Sequence, residues 1–113
     1  MNTFKSRPFD DRLNDANRIL EKYPDRIPVI IQKYDKNAPE IDKYKFLASD
    51  DTTVMSLLYH IRKHTKLRPE QAIFLSDGVD MCVTSTLVKE LYHTKKDKDN
   101  FLYIYYSTEN TFG

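Results

Sequence analysis

Three places in the chain carry residue types that could do chemistry. The first is the end, Y-S-T-E-N-T-F-G, where Gly113 is one of only two glycines in 113 residues. A glycine at a terminus can be accident, truncation or chemistry, and the body of the sequence has to decide which. The second is the pair His60 and His64, four residues apart and so on one face of a helix, the spacing of two zinc ligands. The residue after His60 is Ile61, not the glutamate of a zinc protease, and no third ligand is evident, so no metal is expected. The third is Cys82, the only cysteine, which reads as a small hydrophobe and not as a nucleophile. No Ser/His/Asp or Cys/His set can be assigned, and with one internal glycine there is no glycine-rich phosphate loop. No enzyme and no cofactor is expected.

The composition frames the elements that must position these groups. Lys and Arg number 18 against 17 Asp and Glu, which gives no charge argument for nucleic acid. A lone cysteine reads as intracellular, and neither a signal-length apolar core in M-N-T-F-K-S-R-P-F-D-D-R nor a membrane-length stretch is present. The length is that of one domain. Leu13, Ala16, Ile19, Leu20 and Tyr23 recur at helical spacing over Asp10 to Lys22, behind a possible helical turn at Thr3 to Arg7 and the break at Pro8. Ile27 to Tyr34 predicts a strand in which Pro28 must place its missing N–H at an edge or bulge. After a polar connection, Lys45 to Ala48 predicts its hairpin partner.

A helix follows, capped by Thr52 or Thr53, with Val54, Leu57, Leu58 and Ile61 as its apolar stripe. Ala72 to Leu75 predicts a third strand ending in the S-D-G turn, and Thr84 and Ser85 introduce a short helix with Leu87, Val88 and Leu91 inward. K-K-D-K-D-N predicts a solvated loop, and F-L-Y-I-Y-Y-S a central strand buried on both faces. A hairpin, a crossing helix and a late central strand describe an α+β chain, the ubiquitin-like β-grasp, with two additional N-terminal helices. The division expected is residues 1–24 as a helical extension, 25–107 as the β-grasp core and 108–113 as a flexible tail.

The segments K-Y-P-D-R-I-P-V-I-I, S-D-D-T-T-V, I-R-K-H, F-L-Y-I-Y-Y-S and E-N-T-F-G occur here in order along essentially the whole chain. In these the sequence resembles the autophagy-related protein eight family of ubiquitin-like modifiers, which includes the microtubule-associated light-chain-three and GABA-receptor-associated proteins. The resemblance implies a modifier whose Gly113, once any extension is removed by a processing cysteine protease, passes through activating and conjugating enzymes and is joined to phosphatidylethanolamine. Phe112 then resembles the penultimate aromatic gripped by that machinery, and His64 stands at a position used to contact it, usually arginine. Cytoplasmic protein, autophagosome membrane when lipidated, and a monomer in solution are the implied states.

The resemblance also implies recognition of W/F/Y-x-x-L/I/V motifs on cargo receptors and autophagy factors. The aromatic pocket would be formed by Asp15, Ile19, Pro28, Ile30, Lys45, Leu47 and Phe101. The aliphatic pocket would be formed by Arg26, Phe46, Ala48, Leu57 and Ile61, with Lys45, Phe46 and Leu47 offering a strand edge for pairing. Ile30, Leu57 and Ile61 read equally well as plain core, being inward positions of a strand and a helix. Departures from the family pattern are His60 for an apolar residue, Ser49 for a proline, Thr52 for a leucine, Cys82 and Val83 for a proline pair, and the basic Lys95, Lys96 and Lys98. The competing readings are a non-conjugated adaptor with the same groove and a modifier joined to protein lysines.

Overall fold

The computed structural model describes residues 3–109. A single 3-10 turn, Phe4–Ser6, leads past Pro8 into helix α1, Phe9–Lys22, so of the two helices expected in front of the sheet the first is only one turn. Asp10 and Asp11 lie in the first turn of α1 and Lys22 in the last, each sign matched to the helix dipole. Strands β1 (Ile27–Lys33) and β2 (Lys45–Ala48) follow, then α2 (Val54–Lys63), β3 (Phe74–Ser76), α3 (Val88–Lys95) and β4 (Leu102–Ser107).

The four strands form one mixed sheet in the order β2-β1-β4-β3. β1 and β2 are an antiparallel hairpin, β4 lies parallel to β1 at the centre, and β3 is antiparallel to β4. This is the hairpin, crossing helix and late central strand expected of a β-grasp. Pro28 fits without cost for a reason the register makes plain. The Ile31 N–H donates to Tyr44 O on the β2 side and the Tyr34 N–H to Tyr106 O on the β4 side. Alternation therefore aims the Pro28 nitrogen toward β4, whose ladder with β1 begins one residue later, at Val29 and Leu102.

The two faces of the sheet are covered differently. Val29 and Ile31 of β1 with Leu102, Ile104 and Tyr106 of β4 face Val54, Leu57 and Ile61 of α2 and Val88 of α3, in one large aliphatic core. Ile30, Phe101 and Tyr103 face Phe4 and Ala16, in a smaller and largely aromatic cluster under α1.

Four expectations change in detail. Neither Thr52 nor Thr53 caps α2 with its side chain: Thr53 is the N-cap residue but its hydroxyl makes no cap bond, and Thr52 Oγ1 accepts the Ser49 N–H. The carbonyls of Thr86 and Thr84 take the Val54 and Met55 N–H groups instead, so the segment read as the start of a helix is a turn, closed by the Thr86 N–H on the Val83 carbonyl and bonded to α2, and α3 begins only at Val88. β3 starts at Phe74, not Ala72, because its partner strand ends at Ser107, opposite Phe74. The loop of K-K-D-K-D-N is solvated at its lysines but not at Asp99, which is fully buried.

Asp99 explains how a charge survives there. Its Oδ2 accepts Arg12 Nη1 at 2.7 Å and the Tyr103 hydroxyl, while Oδ1 accepts the Phe101 N–H at 2.9 Å. Buried carboxylates persist only when paired and hydrogen-bonded in this way. Asn100 next to it adopts φ 70°, a left-handed turn that asparagine tolerates, and its amide donates to Asn17 Oδ1. The loop thus clamps α1 to the start of β4.

Candidate functional site

β2 is an edge strand, and its geometry decides what it could bind. Since Tyr44 exchanges a hydrogen bond with Ile31, alternation turns the N–H and C=O groups of Phe46 toward β1 and those of Lys45 and Leu47 outward. The pairing edge expected over Lys45, Phe46 and Leu47 therefore reduces to the backbone of Lys45 and Leu47, with Phe46 engaged inside the sheet. At one end of this edge the Ser49 N–H is taken by Thr52 Oγ1, and at the other the Lys43 carbonyl accepts from His60 Nε2 at 2.9 Å. A short open stretch remains, enough for an added strand to exchange main-chain hydrogen bonds at two residues.

Cross-strand pairing then sorts the predicted residues by face. Pro28 lies opposite Leu47 and Ile30 opposite Lys45, so these four share the α1 face with Phe101; Ile19 packs on the same cluster from α1. Val29 lies opposite Phe46 and Ile27 opposite Ala48, so Phe46 and Ala48 share the other face with Leu57 and Ile61. The residues assigned to an aromatic and an aliphatic pocket thus stand on opposite sides of one edge strand. Ile30, Ala48, Leu57 and Ile61 have no exposed surface and Phe101 has 1%, so they underlie the two positions as part of the core. Phe46 and Leu47 are half-buried and Lys45 is exposed. Arg26 is exposed in the turn before β1, its N–H bonded to Tyr23 O.

Charge at the α1 side is already partnered. Asp15 accepts Arg7 Nη1 at 2.8 Å and has Arg18 at 3.7 Å. Phe4 is the residue that sequence reasoning missed here. It meets Phe101 edge-on at 5.0 Å between centroids, with Lys45 Nζ 5.3 Å and the Arg7 guanidinium 5.0 Å from its ring. The available signal was an isolated aromatic in a polar segment ahead of Pro8.

On the other side the two histidines form a cluster with the edge strand. The His60 ring stands edge-on to Phe46 at 4.9 Å and 4.5 Å from the His64 ring, and Asp42 Oδ1 accepts His64 Nδ1 at 2.8 Å. His64, assigned to contact with processing machinery, is therefore mostly covered and tied to Asp42, its side chain 18% exposed. Burial lowers the His60 pKa below its usual 6.5, the Lys43 carbonyl opposes that shift, and the neighbouring His64 adds to it. Among the described residues no group of three or more His, Cys, Asp or Glu is arranged to hold a metal ion. Cys82 is half-buried, and burial first, then Asp77, pushes its thiol up to about 12, leaving it almost wholly protonated at neutral pH.

The end of the chain is described as far as Glu109, whose N–H is bonded to Ser107 Oγ; that hydroxyl in turn donates to Asp35 Oδ2. Phe112 and Gly113, and with them most of the tail expected over 108–113, lie outside the described residues. Among the described residues no helix is long and apolar enough to cross a membrane. Two clefts lie beside the connection into β2 and not along its outer edge. One of ≈ 590 Å³ lies between the 3-10 turn and the end of β1, with Gln32 and Tyr44 in its wall, and one of ≈ 540 Å³ is bounded by Asp42, His64 and Lys66.

The sequence model of the family described as "Autophagy protein Atg8 ubiquitin like" matches residues 11–113. Autophagy-related protein 8e of Arabidopsis thaliana is 51% identical over 106 residues, covering 93% of this chain and 87% of that protein. Autophagy-related protein 8 of Mycosarcoma maydis is 49% identical, covering 93% and 90%. The crystal structure of Trypanosoma brucei ATG8 superposes over 100% of both chains with a TM-score of 0.85 at 35% identity. Plasmodium falciparum Atg8, solved in complex with a Plasmodium falciparum Atg3 peptide, superposes with a TM-score of 0.83 at 32% identity, covering 96% of this chain and 98% of that one.

Proposed function

The chain belongs to the Atg8 family of ubiquitin-like autophagy proteins, and from that premise we propose that it is a modifier conjugated to membrane lipid and a receptor for short aromatic-x-x-aliphatic motifs. The observation that carries the reading is the open edge of β2. Lys45 and Leu47 turn their backbone groups outward there, with the set around Ile30 and Phe101 on one side and the set around Phe46, Leu57 and Ile61 on the other. An extended peptide pairing with that edge sends alternate side chains to opposite faces, so aromatic and aliphatic anchors three residues apart reach the two sites. Lys45 and Arg26 meet acidic residues flanking the motif and act mainly on the rate and selectivity of encounter. The bound Atg3 peptide of the Plasmodium relative supports peptide recognition as an activity of this fold.

Conjugation is supported by the sequence E-N-T-F-G. In the activating enzyme the Gly113 carboxylate attacks the α-phosphate of ATP and displaces pyrophosphate, and a cysteine thiolate then displaces AMP from the acyl adenylate to form a thioester. The phosphatidylethanolamine amine then attacks the acyl carbon, forming an amide as the thiolate leaves. The adduct supplies two acyl chains, the number that makes anchoring stable where one is marginal. No group of the chain itself acts as a catalyst in this scheme. The processing protease and activating enzyme read Phe112 and the surface near His64, and lipidation carries the cytoplasmic protein to the autophagosome membrane.

The test is reconstitution with active Atg8-system activating and conjugating enzymes, ATP and liposomes containing phosphatidylethanolamine. The parent should gain a lipid adduct and Gly113→Ala should not. Failure of the parent, with a control Atg8 lipidated in the same mixture, would leave a non-conjugated peptide adaptor.

A further inference from the structure

His60 is the unusual member of the aliphatic side of the edge. Its ring is packed edge-on against Phe46, one of the two β2 side chains on that face, and its Nε2–H is committed to the Lys43 carbonyl just before β2 begins. That bond fixes the tautomer and leaves Nδ1 as the atom that gains a proton in acid. Charged or titratable neighbours come from two elements: His64 from the same helix, 4.5 Å between rings, and Asp42 and Lys43 from the connection before β2, while β2 itself presents only the Phe46 ring. We propose that His60 is the specificity-determining residue of the second subsite, admitting an aliphatic peptide side chain while its imidazole is neutral and rejecting it once the ring is protonated. This inference rests on the groove reading above.

The physical reason is desolvation. A Leu or Ile side chain seated on Phe46 covers the edge of the His60 ring and takes water from it, which penalises the imidazolium and leaves the neutral ring nearly indifferent. The free protein is already biased this way, since burial leads the causes that hold His60 below 6.5. Two of its neighbours oppose each other: Asp42 favours the charged ring, whereas a proton on His64 disfavours it. Peptide and proton therefore compete for one site. Affinity is level at neutral pH and falls as pH drops through the pKa of the free ring, which lies below 6.5, by at most about tenfold per pH unit, the limit for one excluded proton. A groove walled by aliphatic side chains alone has no such dependence.

The test is isothermal calorimetry at pH 7.5, 6.5 and 5.5 with the full chain and an acetylated, amidated peptide with a Trp-Thr-Thr-Leu core and no titratable residue. In the parent Kd should rise on acidification. In His60→Leu the rise should vanish, and in His64→Gln it should remain. A rise of equal size in parent and His60→Leu, or a parent Kd level across the range, would overturn the inference and leave the groove intact. Absence of binding at every pH would overturn the groove reading and this inference together. Should His60→Leu not fold, the titration of the His60 ring protons by NMR decides the matter: bound peptide must lower its midpoint, and an unmoved midpoint overturns the proposal.

Discussion

The face of the sheet under α1 and the face under α2 are built from the same strands yet held by unlike forces. Under α2 and α3 the contact is aliphatic and fully buried, with Leu57, Ile61, Val54 and Val88 set against alternate residues of β1 and β4. Under α1 the apolar contact is small, and a buried carboxylate, Asp99, does the joining through Arg12 and Tyr103. Hydrophobic contact is non-directional and adds up with area, whereas an ion pair taken out of water holds only while every partner stays in place. α1 is thus a layer held by polar bonds to residues 97–103 over a small apolar contact, whereas α2 is continuous with the core. The two proposed peptide subsites stand on these two unlike foundations.

The largest effect should come from the α2 side. Leu57→Ala removes a fully buried side chain from the larger core and should cost about 4 kcal/mol of unfolding free energy. Denaturant titration should show this without a second transition, and amide exchange should quicken in every strand. Exchange confined to α2 would mean that this face is not the common core.

Next comes Arg12→Leu, which strands Asp99 against the Tyr103 hydroxyl and the Phe101 N–H alone. A loss of about 3 kcal/mol is expected, at the low end for breaking a buried pair because those two bonds remain. Here the sharper readout is where protection goes: exchange should rise in α1 and residues 97–101 well before β3 and α2. Uniform loss would show the two layers to be one cooperative unit.

The smallest effect is acidic. Burial would raise the Asp97 carboxyl, but the Asp99 N–H, Lys5 at 3.4 Å and Arg12 together hold it below its usual 3.8. A carboxyl depressed in the folded state stabilises above its unfolded value and loses that contribution as pH falls through the folded one. The parent should therefore lose slightly more stability than Asp97→Asn between pH 5 and pH 3, by less than about 1 kcal/mol for so accessible a pair. Equal losses would remove Asp97 from the α1 fastening.

What the sequence made legible follows the same division. β2 falls at Lys45–Ala48 as its apolar run predicts, and α2 carries the stripe of Val54, Leu57 and Ile61 inward, because strand and helix periods are local properties. The β1 and β2 residues assigned to the two pockets fall on opposite faces of the sheet, since their order along the strands obeys alternation. The burial of Asp99 was illegible, for its partner Arg12 is distant in sequence and K-K-D-K-D-N has the composition of a solvated loop. The caps of α2 were illegible for the same reason, being carbonyls of Thr84 and Thr86. So was the inward turn of Phe46 backbone, which depends on the register of β2 against β1 and not on residue type.

The parallel pairing of β1 with β4 also bears on how the chain is made. Val29 cannot find Leu102 until nearly the whole sequence has been synthesised, and during that wait the edge of β1 that faces β4 has no strand to pair with. Contacts this distant in sequence make folding slow compared with a helical bundle, and an apolar strand with an open side is a site for association with other chains. The nascent protein thus passes through a stage in which one edge of β1 stays open until the sheet closes.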